Sequence, residues 1–153
     1  MLISCYRKAI LICLLIFFQA QLVAAADFVS VKTKKAFLFE GPSESTKKEL
    51  IITEGYPLLI VVKLKDWLKV KDHEGKITWI KSIDTSSSRT VMILKNNTAF
   101  YSEPSSNSIK LGEADANVTL TLLSPSDTDG WIHVKSENQD MDGFVSKNDI
   151  WGI

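Results

Sequence analysis

The sequence predicts an all-β protein made of two small β-barrels in tandem. After residue 26 the chain is a series of short runs rich in β-branched and aromatic residues, separated by turn residues. No stretch keeps apolar residues at helical spacing for three turns, so we expect almost no helix. Five short strands in about 60 residues bury a dry face only if the sheet curls on itself, which predicts a closed or nearly closed barrel.

The β-rich runs fall into two sets of five. The first set comprises residues 28–31, 50–53, 56–64, 67–71 and 76–80. The second set comprises residues 90–94, 110–111, 118–123, 131–135 and 143–145.

The two sets form an internal repeat. Residues 39–43 (FEGPS) correspond to residues 101–105 (YSEPS), and residues 67–70 (WLKV) correspond to residues 131–134 (WIHV). The small drift in offset between these matches is consistent with short loop insertions. We therefore predict a first barrel over 27–83, a linker over the small polar residues 84–88, and a second barrel over 89–153.

The first 26 residues have the pattern of a secretory signal peptide. Arg7 and Lys8 provide a basic start, residues 9–18 are apolar, and residues 24–26 are three alanines typical of a cleavage site. We expect cleavage after Ala26 and a secreted, periplasmic protein.

Two alternatives to cleavage remain. An uncleaved anchor is disfavoured because Gln19 and Gln21 interrupt the apolar stretch, whereas a spanning helix needs about 20 largely apolar residues. A lipoprotein attached through Cys13 is disfavoured because the preceding Ile12 is not small. We expect no stable membrane insertion after cleavage.

Cleavage also removes both cysteines of the chain, Cys5 and Cys13, so the mature protein has no disulfide. The loss of Arg7 and Lys8 leaves 16 basic residues against 18 acidic ones, a formal charge of −2. A nearly neutral protein is a poor partner for nucleic acid.

These features resemble the bacterial SH3-like domains of secreted proteins in Gram-negative bacteria, which often occur as two copies behind a signal peptide. The resemblance rests on the Pro-Ser turns at 41–43 and 103–105, the two Trp-x-x-Val segments, the Gly-Phe step at 143–144 and the closing residues 151–153. It covers nearly the whole mature chain. It implies a periplasmic all-β tandem that binds the cell wall or an envelope protein, with no catalytic residues.

Two positions depart from the pattern of that family. Thr78 stands where the family usually has glycine, and Phe144 stands where it usually has tryptophan. Neither change threatens the fold, but both weaken the expectation of an inherited groove.

Four aromatic residues are the candidate ligand-binding groove: Phe39, Trp67, Tyr101 and Trp131. Strand alternation places Leu68 and Val70 on one face and Trp67 on the other, and the second copy repeats this. We expect Phe39 and Tyr101 in the loop before the second strand, beside the tryptophans. The alternative is that each tryptophan only caps its own small core.

Five further residues are expected in or against the cores. Trp79, Ile80, Phe144 and Val145 should complete the barrels, and Trp151 should pack the C-terminal end back against the second one.

The sequence predicts neither catalysis nor a metal site or cofactor. His73 lies in a polar turn, His133 lies on an outward strand position, and no cysteine or His-Glu spacing accompanies them. No Gly-x-Ser-x-Gly elbow is present.

The predicted function is therefore a periplasmic, non-catalytic module that binds peptidoglycan, through its stem peptide or glycan, or an extended segment of an envelope protein. The alternative is a structural or adaptor protein that uses the sides of its barrels for protein contacts, without a small ligand. An enzyme ranks third.

Overall fold

The computed structural model describes residues 26–125, 128–137 and 140–153. Within these ranges the chain forms two seven-stranded antiparallel sheets and two short 3-10 turns. The described ranges contain no helix long and apolar enough to cross a membrane. The predicted signal peptide, apart from Ala26, lies outside the described residues.

The first sheet forms the first barrel. Its strands are β1 (Phe28–Val31), β2 (Lys35–Phe39), β3 (Lys48–Thr53), β4 (Pro57–Lys63), β5 (Trp67–Lys71), β6 (Ile77–Lys81) and β7 (Thr85–Ser86).

The second sheet forms the second barrel. Its strands are β8 (Thr90–Ile93), β9 (Thr98–Tyr101), β10 (Lys110–Ala114), β11 (Thr119–Leu122), β12 (Trp131–Ser136), β13 (Met141–Ser146) and β14 (Ile150–Trp151).

The two sheets have the same strand order. It runs β3-β2-β6-β5-β4-β1-β7 in the first and β10-β9-β13-β12-β11-β8-β14 in the second, so each strand corresponds to the one seven places later. A 3-10 turn, Ser82–Asp84 or Lys147–Asp149, precedes the last strand of each sheet. The predicted all-β tandem of SH3-like domains with almost no helix is confirmed.

Each barrel has more strands than the sequence predicted. The strands β2 and β9 were not predicted, and the expected loop positions of Phe39 and Tyr101 are wrong, because these residues end β2 and β9. In β2, Lys35 is followed by four consecutive apolar residues, so the segment shows no polar–apolar alternation. Within the predicted linker, Thr85 and Ser86 form β7 and pair with β1.

The two cores are separate clusters of mainly aliphatic side chains. In the first barrel the buried residues are Val31, Ala36, Leu38, Ile52, Leu58, Leu68, Val70 and Ile80. In the second barrel they are Val91, Ile93, Phe100, Ala114, Leu120, Ile132, Val134, Val145 and Ile150. Burial of these groups is the main favourable term that holds each sheet curled.

The sequence predicted two core residues in each of β6 and β13, and one residue of each pair is in the core. Ile80 and Val145 are fully buried, as predicted. Trp79 and Phe144 are not core residues, and that prediction is wrong: both are only partly buried and neither belongs to a core cluster. The cause is strand alternation, which must place neighbouring residues on opposite faces.

Aromatic and cationic side chains join the two barrels. Trp151 was expected against its own barrel, but its ring meets the edge of Phe28 in the first barrel, with ring centroids 5.3 Å apart and planes at 80°. The Arg89 guanidinium lies 5.2 Å from the centre of the Phe28 ring and donates a 2.6 Å hydrogen bond to the Gly152 carbonyl. Phe28 is 4% exposed, so the contact excludes water.

A hydrogen-bonded chain crosses between the barrels beside this contact. The Thr90 hydroxyl donates to the Gly55 carbonyl at 2.6 Å, and the Thr90 amide donates to the Ser30 hydroxyl at 3.0 Å. The two hydroxyls lie 2.6 Å apart, so Ser30 is left to donate to Thr90. These part-buried hydrogen bonds favour one relative position of the two barrels.

A glycine pair tests the tightness of this junction. A Cβ on Gly152, where φ is +121°, would lie 2.7 Å from the Thr90 carbonyl oxygen of its own barrel and 3.2 Å from Pro57 Cβ of the first barrel. A Cβ on Gly75, where φ is +87°, would meet nothing within 4 Å. Backbone strain alone should make Gly75→Ala cost about 1–2 kcal/mol of unfolding free energy. Gly152→Ala adds overpacking and should cost about 2–5 kcal/mol. Urea denaturation measures both, and equal losses would contradict the tight junction.

Candidate ligand-binding grooves

The central strands β5 and β12 place their tryptophans outside the cores, as the sequence predicted. Along β5 the residues alternate between partly buried and buried, with Leu68 and Val70 inside and Trp67 outside. Along β12, Ile132 and Val134 are inside and Trp131 is outside.

Each tryptophan packs on an aromatic residue from the neighbouring part of the sheet. The Trp67 and Phe39 rings meet edge to face, with centroids 5.1 Å apart and planes at 89°. The Trp131 and Tyr101 rings repeat this arrangement at 5.3 Å and 83°. Such pairs add about 0.5–1.5 kcal/mol beyond the area they bury. The structure therefore brings the four predicted site residues together as two pairs, one on each barrel.

A second cross-strand pair lies next to each of these aromatic pairs. On the first barrel, the Lys69 ammonium lies 5.8 Å from the centre of the Trp79 ring. On the second barrel, the His133 ring stacks on Phe144 with centroids 4.6 Å apart and planes at 12°, and it also pairs with the Asp142 carboxylate. Trp79 on β6 pairs with Phe39 on β2, and Phe144 on β13 pairs with Tyr101 on β9. The aromatic residues of each barrel therefore extend across neighbouring strands.

A groove of about 610 Å³ lies beside Trp67, and we call it groove 1. Its lining residues are Glu44, Lys65, Asp66, Trp67, Lys81, Ser82 and Ile83. The Lys81 ammonium donates to the Glu44 carboxylate at 2.6 Å, and this lysine holds the pKa of Glu44 below its usual value. Groove 1 therefore presents the half-buried Trp67 indole, an ion pair, and the further charges of Lys65 and Asp66.

A smaller groove of about 380 Å³ lies beside Trp131, and we call it groove 2. Its lining residues are Lys95, Asn96, Asn97, Thr98, Ala99, Tyr101, Trp131, Ser146 and Asp149. Lys95 and Asp149 form an ion pair. Groove 2 therefore presents mainly amide and hydroxyl groups, whereas groove 1 presents mainly charges.

The four predicted site residues do not have equal access to the grooves. Trp67 lines groove 1 and both Trp131 and Tyr101 line groove 2. Phe39 is only 3% exposed and does not line groove 1, because it lies beneath Trp67. Phe39 thus supports the tryptophan.

The sequence did not indicate the charged residues of the grooves. Lys81 is directly opposite Trp67 in the pairing of β5 with β6, but Glu44 reaches it from the turn after β2. Asp149 comes from the 3-10 turn after β13, and Lys95 from the loop after β8. These pairings join distant parts of the chain, and no motif connects them.

A partly buried tyrosine lies apart from the grooves. The Tyr56 hydroxyl is 2.8 Å from Nδ1 of His73, and Tyr56 packs against the first core. Burial, with the nearby Asp72 and Glu74 carboxylates, raises the pKa of Tyr56 to about 12. This hydroxyl is therefore neutral at physiological pH and acts as a hydrogen-bonding group.

Fold and grooves together define the chain as a tandem of SH3-like β domains. Residues 32–86 match the model of a family described as the bacterial SH3 domain. The first barrel is therefore similar to the bacterial SH3 domain over most of its length, and the second barrel repeats its strand order. No curated protein sequence matches the chain.

Three solved structures are similar to the chain at low identity. The NlpC2 protein of Trichomonas vaginalis is 14% identical, with 84% of this chain and 49% of that chain covered and a TM-score of 0.38. The NlpC1 protein of the same organism is 13% identical, with 88% and 48% covered and a TM-score of 0.39. An NlpC/P60 family protein from Bacillus cereus ATCC 10987 is 18% identical, with 81% and 55% covered and a TM-score of 0.36. This chain spans about half the length of each.

A double-mutant cycle tests the outer aromatic pair. We expect Tyr101→Leu and Trp131→Leu to be non-additive, with a coupling free energy of about 0.5–1.5 kcal/mol, because the edge-to-face contact needs both rings. Urea denaturation of the two single variants and the double variant gives this value. Phe144→Leu with Tyr56→Leu, in different barrels, should be additive, and additivity of the Tyr101 and Trp131 variants would contradict the contact.

Proposed function

We propose that the protein is a secreted, periplasmic, non-catalytic module that binds cell-wall peptidoglycan through the two tryptophan grooves. The observation that carries the proposal is the repeated placement of a half-buried indole beside hydrogen-bonding groups, outside the core, at the same position of each barrel. An indole face suits the apolar side of a sugar ring or a peptide backbone, and the polar groups fix the orientation of the ligand.

The two grooves favour different parts of a peptidoglycan unit. Lys65 and Lys81 in groove 1 suit the carboxylates of a stem peptide, since ammonium groups bind carboxylates by charge-assisted hydrogen bonds. Asn96 and Asn97 in groove 2 suit the hydroxyl and acetamido groups of a glycan, since an amide both donates and accepts. One rigid tandem would then contact both components of the same polymer.

Trp67 and Trp131 provide the test of wall binding. The mature protein, residues 27–153, should co-sediment with purified sacculi, and Trp67→Ala or Trp131→Ala should weaken the apparent affinity about tenfold or more, as loss of a central aromatic contact usually does. Trp79→Ala is the matched control, because Trp79 is also partly buried on the outer face but lines neither groove.

Several outcomes of that assay would contradict the proposal. Unchanged sedimentation of both folded groove variants would show that the grooves do not bind the wall. Equal loss for Trp79→Ala would point to a general effect of losing an outer aromatic. Soluble muropeptides released during the incubation would contradict a non-catalytic module. Secretion by cleavage needs a separate measurement on the full chain, in which an intact signal on the exported protein would contradict it.

The second candidate function is an adaptor that binds proteins through the side of a barrel. The observation that favours it is the strand β3, which lies at the end of the first sheet and exposes Leu50 and Ile51 to 43% and 57%. An edge strand with exposed apolar residues can pair with an added strand. In the sacculus assay, an adaptor would show no sedimentation.

A further inference from the structure

We propose that the cleft between the two barrels is a separate ligand site that takes an extended peptide segment carrying a free amino group. The cleft has a volume of about 550 Å³ and does not include the tryptophans of grooves 1 and 2. Both barrels and the segment between them contribute to it, so neither barrel alone contains it.

Short hydroxyl side chains line much of this cleft. They are Ser30, Ser86, Ser88, Thr90, Thr119 and Thr121. Ser30, Thr90 and Thr121 already donate within the protein and can only accept from a backbone N–H. Donation to a backbone C=O therefore falls to Ser86, Ser88 and Thr119, and together the six hydroxyls match the alternating N–H and C=O groups of an extended peptide. None of the described residues that line the cleft is aromatic, so it offers no surface for stacking a sugar ring. A peptide fits this lining better than a glycan.

The junction of the two barrels holds one wall of the cleft in place. Ser30 and Thr90 are tied to each other and to the Gly55 carbonyl by hydrogen bonds of 2.6–3.0 Å. Gly55 is also close to Thr119, whose hydroxyl oxygen would lie 2.9 Å from a Cβ at that position. Because these groups are already fixed, a ligand does not have to order them, which favours binding.

The charge of the cleft favours a cationic ligand. Glu54 of the first barrel and Glu137 of the second line the cleft, against one basic residue, Lys32. The Thr121 hydroxyl donates to the Glu137 carboxylate at 3.3 Å and helps to orient it. An ammonium group in the cleft would form a charge-assisted hydrogen bond with a carboxylate of the lining.

A titration with two peptides tests this site. The ¹⁵N-labelled mature protein is titrated with acetyl-Gly-Ser-Lys-Ser-Gly-amide, and separately with the same peptide carrying Nε-acetyl-lysine. We expect the lysine peptide to shift the backbone amide resonances of Gly55, Thr119 and Thr121. The acetylated peptide should bind about fivefold more weakly, since it has lost the charge.

Two sets of variants connect the binding to the cleft. Glu54→Gln with Glu137→Gln should weaken the lysine peptide about fivefold and leave the acetylated peptide unchanged. Glu40→Gln with Glu103→Gln is the matched control, because it removes two exposed carboxylates that do not line the cleft. Ser88→Trp, at an exposed position, should fill the cleft and abolish the binding of both peptides.

Three results would overturn the proposal: no resonance shifts at millimolar peptide, shifts confined to the tryptophan grooves, or equal affinity for the two peptides. The outcome does not depend on the wall-binding function, because Trp67→Ala and Trp131→Ala should leave this titration unchanged.

Discussion

Each barrel must form around a very small core, and most of the structure follows from this constraint. Among the described residues, the two core clusters contain eight and nine buried residues, with Phe100 the one aromatic among them. So little interior volume cannot also hold the tryptophans, which therefore lie on the outer face. There they pack against Phe39 and Tyr101 and remain partly accessible. The limited core thus leaves the half-buried indoles on which the grooves depend.

The same constraint explains the contact between the barrels. A domain of this size buries too little apolar surface to be very stable by itself. Phe28 and Met92 are almost fully buried, yet neither belongs to a core cluster. Phe28 is covered by Trp151 and Arg89, so the tandem gains a third buried region where its barrels meet. The hydrogen bonds of Ser30 and Thr90 make this region specific in orientation.

Local sequence patterns predicted much of the fold and part of the site. The internal repeat predicted two copies of one unit, and the alternation in β5 and β12 predicted the outward tryptophans. The prediction was wrong where a side chain's environment depends on a distant strand. Trp79 lies outside because its neighbour Ile80 occupies the core. From a run of apolar residues alone, the sequence does not reveal which of the two neighbours faces inward. Trp151 contacts Phe28, 123 positions earlier in the chain, and no local pattern links them.

The contacts between the barrels affect how the two grooves are spaced. Two domains on a flexible linker would have no such preferred spacing. Grooves 1 and 2 lie on barrels that contact each other through Phe28, Trp151 and Arg89, and these contacts restrict the distance between the grooves. On the proposed function, a partner with matching spacing would bind both grooves with little additional loss of entropy, and a partner with another spacing would bind only one. Since the grooves also differ in charge, Lys65 and Lys81 against Asn96 and Asn97, such a partner must present different groups at two fixed positions. On the proposed function, selectivity would then arise from the pair of barrels, although each groove by itself is small.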